Sequence, residues 1–224
     1  MPLFGPLHIA LILATATAAG VWSALIRHRR VPARAVCLVL GYGLGANEIA
    51  WWIFRYSLEG LHLTNLPLQL SDAAVWLAVF ACLTLRPWLV EFTYFAGLSS
   101  AATAVLMPDL WSPWPSYPAI YFFAAHGGVV VAAAVLIFGR VMWLRPGAMR
   151  RSYMALLLYA AIIGTVDWLT GANYMYLRAK PKTESLLNVF GPWPVYLAPA
   201  ALAAFLVFWF LALIAPKHHG AEGF

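Results

Sequence analysis

Seven runs of about 20 apolar residues divide this chain, at approximately 6–26, 34–56, 67–85, 88–107, 118–141, 151–170 and 194–215. A helix of that length crosses a hydrocarbon core of roughly 30 Å. The chain is 63% hydrophobic and 10% charged, where a soluble domain carries roughly 25% charged residues. Lipid is therefore the solvent that its surface fits. No hydrophilic stretch is long enough for a separate soluble unit, so residues 1–224 read as one polytopic domain. The expected fold is an all-α membrane protein, a bundle of seven transmembrane helices. The boundary between the third and fourth runs is the narrowest, with only Arg86 and Pro87 between them. Proline ends the preceding helix, and a tight turn is expected there.

Charge sets the expected orientation. The opening "MPLFGPLHIALILATATAAGVW" lacks a positive stretch ahead of its apolar run, and Arg27, Arg29 and Arg30 come after it. That is the pattern of a retained first helix whose start lies outside. With seven helices, one set of connections holds Arg27, Arg29, Arg30, Arg34, Arg86, Arg140, Arg145, Arg150, Arg151 and Lys217. The other set holds Arg55, Arg178, Lys180 and Lys182. The excess predicts an outer N-terminus and a cytoplasmic C-terminus. The net charge of +6 is then mostly a topology signal, and no nucleic-acid partner is expected. "RHRRVPAR" suits anionic headgroups, as do most cytoplasmic loops. The outer connections "PDLWSPWPSYP" and "FGPWPVY" are rich in aromatics and proline, as in an interfacial belt. Cys37 and Cys82 form no metal-like or redox spacing and read as small buried hydrophobes. No internal repeat stands out, and nothing in the sequence sets an oligomeric state.

Within this apolar frame the polar residues converge. "LPLQLSD", at the start of the third run, carries Gln69, Ser71 and Asp72 in little more than a turn. On a helix Gln69 and Asp72 share a face. In the second run, Glu48, Trp52 and Arg55 form a rising stripe. His8, His126, Asp167, Asn173 and Tyr174 fall toward the same outer level. An intramembrane charge costs at least ~2.5–3.5 kcal/mol on insertion scales and normally faces a bundle interior or a watery hollow. Two readings are open: an outward-facing site, or polar packing that fixes the helices at around 0.6 kcal/mol per contact. Three acids at one depth favour the site. Glu91 stands apart near the inner end of the fourth run and is expected to pair with Arg86 or water.

His126 sits in "YFFAAHGGVV", where two glycines permit close approach by a helix or ligand. A histidine beside Ser71 or Asp72 has the parts for general-base chemistry. A metal held by His8, Glu48, Asp72, His126 and Asp167 has no H-x-x-x-H or H-E-x-x-H spacing behind it, and no metal or other cofactor is expected. The segment "TGANYMYLRAKPKTESLLNVFGPWPVY" combines Asn173 and Tyr174 with Arg178, Lys180 and Lys182. These cations suit either a substrate phosphate at the mouth of the site or ordinary lipid headgroups.

The ordered set "FGPLH", "LPLQLSD", "AVLMPDL", the histidine of the fifth run, "NYMYLRAKP" and "FGPWPVY" resembles the YwaF-like family of bacterial integral membrane proteins. The resemblance covers almost the whole chain and implies a multi-pass protein of the bacterial inner membrane. More remotely, that family is similar to eukaryotic multi-pass acyltransferases that move acyl chains between phospholipids through a cysteine. Here "LPLQLSD" offers Ser71 in place of a cysteine. The resemblance thus implies membrane lipids as partners and acyl transfer or hydrolysis as the activity. In that mechanism Ser71 is the nucleophile, His126 the base, and Asp72 or Asp167 the orienting acid. Gln69 or Asn173 donates to the oxyanion, and His8, Glu48, Arg55, Tyr174, Arg178 and Lys180 complete the substrate site. The alternative is a small transporter or ligand-binding membrane protein whose acids are proton or cation sites. A structural partner subunit is the third possibility.

Overall fold

The computed structural model describes residues 2–110, 112–181 and 186–217. Its helices are α1 (Pro6–Arg27), α2 (Ala33–Glu59), α3 (Leu70–Thr84), α4 (Pro87–Leu106), α5 (Tyr117–Phe138), α6 (Ala148–Thr170) and α7 (Leu197–Ile214). No strand occurs among the described residues. A π-helical turn, Thr93–Gly97, interrupts α4, and short 3-10 turns occupy Tyr174–Tyr176 and Leu186–Phe190.

Six of these helices, all but α3, are long and apolar enough to cross a membrane. The third differs from the expected 67–85. It is 15 residues long, about 22 Å, because Leu66, Pro67 and Leu68 stay outside the helix. Pro67 offers no N–H, and the other backbone groups bond elsewhere. Tyr174 accepts from the Leu66 N–H at 2.7 Å, and Tyr159 donates to the Leu68 carbonyl at 3.0 Å. Even so, α3 runs antiparallel to α2 over most of its depth. Arg34 donates to the carbonyls of Cys82 and Leu83 at 3.0 and 2.7 Å, covering the open C-terminal end of α3. At the other end Arg55 and Asp72 line the same cavity. Arg34 and Arg55 are about 32 Å apart along α2. Leu85 then takes a left-handed conformation (φ 52°), and Pro87 begins α4. This is the expected tight reversal, with proline at a position whose N–H has no intrahelical partner.

The most enclosed helix is α5, whose Ala125, Val129, Ala132, Val135 and Leu136 are fully buried. It packs on α1, α2, α3 and α4. The glycine pair after His126 serves two of these contacts. A Cβ on Gly127 would lie 3.0 Å from Thr15 Oγ1 of α1, and one on Gly128 would lie 2.6 Å from Leu44 Cδ2 of α2. Cys37 and Cys82 are both buried, between α2 and α3. The outer surfaces of α1, α6 and α7 stay apolar and exposed, as a lipid-facing surface requires.

Glu91 departs from its expected interfacial place beside Arg86. It is 2% exposed and held by two arginines beyond α5. Arg145 donates at 2.7 and 3.1 Å, and Arg151 at 2.9 and 3.2 Å. A carboxylate without water needs such partners, and this pairing ties α4 to the start of α6.

Candidate functional site

At the end of the bundle away from Arg34 and Glu91, a cavity of about 330 Å³ lies among α2, α3, α4 and α5. Its polar lining comes from Arg55, Gln69, Ser71, Asp72 and His126, together with Asp109 and Tyr176. Trp51, Ala104, Met107, Pro118 and Phe122 give it an apolar part. Five residues singled out in the sequence are therefore brought together. Asp109 and Tyr176 are additions. They lie in the connections after α4 and α6, where no helical periodicity marks a facing side, although both fall within motifs that carry the family resemblance.

The position of Ser71 follows from where α3 begins. Gln69 is the N-cap, so Ser71 is the second helical residue. The N–H groups of Leu70, Ser71 and Asp72 have no intrahelical acceptor and form a concentration of donors suited to negative charge. Gln69 Oε1 accepts from the Met175 N–H at 2.7 Å, leaving its NH₂ as a donor. The base candidate is equally defined. His126 Nδ1–H donates to the Phe122 carbonyl at 2.7 Å, which in the neutral ring leaves Nε2 as the proton acceptor. Its ring centroid lies 4.2 Å from that of Phe122. A backbone carbonyl thus orients His126, in place of the expected Asp72 or Asp167. No hydrogen bond joins Ser71 to His126 among the described residues.

Charge in the cavity is mixed. Arg55 brings a guanidinium, paired with Glu59 at 3.0 Å and 5.4 Å from the Trp52 ring centre, against the carboxyls of Asp72 and Asp109. The stripe read from the sequence is present, since Trp52 Nε1–H donates to Glu48 Oε1 at 2.6 Å. Glu48 itself is fully buried behind the wall. Tyr121, whose ring stacks on Trp51 at 4.3 Å, donates its hydroxyl to Glu48 Oε2 at 2.7 Å. Tyr176 holds its phenol proton above the usual tyrosine range, chiefly through burial and secondarily through Asp109.

The remaining expected site residues do not line the cavity. His8 is fully buried, with Nδ1 accepting from the Phe4 N–H at 2.9 Å and Nε2–H donating to the Val105 carbonyl at 2.8 Å. Both nitrogens are used, and the ring links α1 to α4. Asp167 is fully buried at the end of α6, and its Oδ1 accepts from the Tyr174 N–H at 2.8 Å. Tyr174 is a brace for the lead into α3, donating to the Leu63 carbonyl at 2.9 Å while accepting from Leu66. Asn173 accepts from the N–H groups of Arg178 and Ala179, both at 3.0 Å, and folds its own loop. Arg178 donates to the carbonyls of Asp167 and Ala172 at 3.3 Å. Lys180 is half-buried, 3.5 Å from the Asn188 carbonyl and 5.7 Å from the Tyr196 ring centre. Lys182 lies outside the described residues. Of these groups, Tyr174 and, through it, Asp167 support the segment that leads to Ser71 and Asp72. No cluster of three or more His, Cys, Asp or Glu side chains able to hold a metal ion occurs among the described residues.

The arrangement provides a hydroxyl at a helix N-terminus, an imidazole oriented through its Nδ1–H, one guanidinium and an apolar wall around one hollow. That combination serves acyl chemistry or the binding of a small amphiphile. Comparison with known proteins places the chain more coarsely. No curated protein and no solved structure matches it. The model of the TMEM164 family matches residues 3–212. With that match over nearly its whole length and six helices fit to cross a bilayer, the chain is a multi-pass membrane protein belonging to the TMEM164 family.

Proposed function

We propose that this protein carries out acyl transfer or acyl hydrolysis on a membrane lipid, in the cavity at the start of α3. The observation that carries the proposal is the shared cavity of Ser71, at the donor-rich end of a helix, and His126, whose Nε2 is left to accept a proton. Its motifs' resemblance to the YwaF-like family, and more remotely to multi-pass lipid acyltransferases, supports the same reading and a place in the bacterial inner membrane. In this mechanism Ser71 Oγ attacks an ester carbonyl as His126 Nε2 takes its proton. The N–H groups opening α3, with the Gln69 amide, receive the oxyanion. His126 then protonates the departing alkoxide, and the acyl-serine passes its acyl group to a second hydroxyl or to water. Serine and histidine must come within hydrogen-bond reach, directly or through one water, when the substrate enters. Arg55 lines the cavity and Lys180 stands outside it, and both are offered to the headgroup phosphate.

The same proposal takes α3 as a seventh span, supported by its course along α2 from Arg34 to Arg55. It sets the arginine-rich end in the cytoplasm and the cavity toward the outer leaflet. In liposomes containing a phospholipid with a labelled acyl chain, the wild-type protein should release or transfer the label. Ser71→Ala and His126→Ala should each lower that rate by at least about 10²-fold. Turnover that survives both changes would overturn the mechanism. The alternative is a carrier using Glu48, Asp72 and Asp167 as ion or proton sites. One observation favours it: Glu48 and Asp167 are buried without a salt-bridge partner among the described residues. Both, however, lie away from the cavity and engage in hydrogen bonds.

A further inference from the structure

A second concavity lies toward the arginine-rich end, on another side of α3. There α6 packs along α4, and a groove of about 480 Å³ lies among α3, α4 and α6. Ala73 and Leu77 form one wall and Trp88 and Phe92 the floor. The opposite wall is Ala155, Leu158 and Ile162, which follow Arg151 at spacings of four, three and four and so share one helix face. From Arg151 to Ile162 the groove runs about 16 Å. That is the hydrocarbon depth of one leaflet, half of a core of roughly 30 Å.

The charged end of this groove is cationic and incompletely used. Arg145 and Arg151 together carry ten N–H groups. Four donate to Glu91, and a fifth, on Arg151, donates to the Pro146 carbonyl at 2.7 Å. Five donors remain. One carboxylate between two guanidiniums leaves a net charge of +1, and the arginine side chains are 48% and 45% exposed where that of Glu91 is 3%. Trp88, 55% exposed on the floor, is the residue type that sits at headgroup level. The geometry points to a binding site for an anionic phospholipid, with its phosphate on the free faces of Arg145 and Arg151 and one acyl chain lying along the groove. Charge complementarity selects this occupant. A zwitterionic lipid leaves the residual positive charge unanswered, and an apolar helix leaves the five donors unpaired. The site is separate from the cavity of Ser71 and does not depend on the chemistry proposed there.

The test is native mass spectrometry of the delipidated full-length protein, titrated with phosphatidylglycerol or phosphatidylcholine. A photo-reactive acyl chain on the former maps the contact. One phosphatidylglycerol should be retained in preference to phosphatidylcholine, with cross-links on Ala155, Leu158 or Leu77. Arg145→Gln leaves Glu91 bound to Arg151 and should weaken retention about tenfold. Ala155→Phe fills a lipid-facing groove without disturbing the core, and should weaken it at least as much. Ser71→Ala should leave retention unchanged. Equal retention by wild type and both groove variants would overturn the proposal. So would cross-links scattered over α1 and α7, a second copy of the chain in the groove, or displacement by millimolar inorganic phosphate alone.

Discussion

Replacing Tyr121 with phenylalanine removes one oxygen from a place where the structure leaves little compensation. The ring remains stacked on Trp51 at 4.3 Å, so packing is kept, while Glu48 Oε2 loses its donor at 2.7 Å. Glu48 is fully buried, and its other oxygen is already taken by Trp52. Leaving a buried polar atom unpaired costs about 1–3 kcal/mol. A hydrogen bond between membrane helices averages nearer 0.6 kcal/mol, because the unfolded chain in lipid also finds partners. Without that donor a fully buried oxygen of Glu48 is left unpaired, and Tyr121→Phe should destabilise the fold by about 2 kcal/mol, close to 30-fold in the folding equilibrium. In a Glu48→Leu background the acceptor is absent, and the same change should cost no more than about 0.6 kcal/mol. Reversible unfolding in mixed micelles, followed by tryptophan emission for the four proteins of the cycle, measures the difference. Equal cost in both backgrounds, or a neutral Tyr121→Phe, would refute the assignment of Glu48 as a donor-dependent core residue.

Tyr174→Phe should free the Leu66 N–H and raise hydrogen exchange across residues 60–69 by roughly tenfold, for the loss of about 1.4 kcal/mol of bracing. Unchanged protection would mean that the brace is dispensable. Two glycines should differ in rank. A Cβ at Gly139 meets the Val135 carbonyl oxygen at 2.3 Å, a backbone atom that cannot swing aside, so Gly139→Ala should destabilise by about 1–3 kcal/mol. Gly128→Ala meets only the mobile end of Leu44 and should cost less, a comparison open to the same unfolding assay. Ultraviolet titration should show the Tyr176 phenol ionising above the usual tyrosine value of about 10. Its contribution to stability is fully present below the unfolded value and is lost as pH rises through the folded one. Asp109→Asn should return only part of the shift, since burial is the larger cause.

Hydropathy and charge carry the helical frame in the sequence itself, because lipid imposes a length and a polarity on each span that composition records directly. The turn at Arg86–Pro87 is legible for the same reason, through proline's missing N–H. The start of α3 is not, because the groups that hold residues 66–69 out of the helix come from Tyr159, Tyr174 and Met175, about a hundred positions away. The polar residues divide similarly. Periodicity gives depth and side, and it brings Arg55, Gln69, Ser71, Asp72 and His126 to one level. It cannot say which polar atoms are claimed by backbone. His8 meets the carbonyl of Val105, and Asp167 meets the amide of Tyr174, partners that every residue carries and no pattern distinguishes. Glu91 escaped for the complementary reason: Arg145 and Arg151 look like ordinary loop cations until the fold carries them back to α4.

The brace on α3 also sets an order of assembly. A ribosome delivers the third helix long before it delivers Met175 and Tyr174, which join Gln69 and Leu66 across 106 and 108 residues. Until then the nascent chain has a hydrophobic hairpin whose upper rim is unfinished. Ser71 can take its final bearing only after the sixth helix has entered the bilayer, so the hollow is closed from its C-terminal side and late in synthesis.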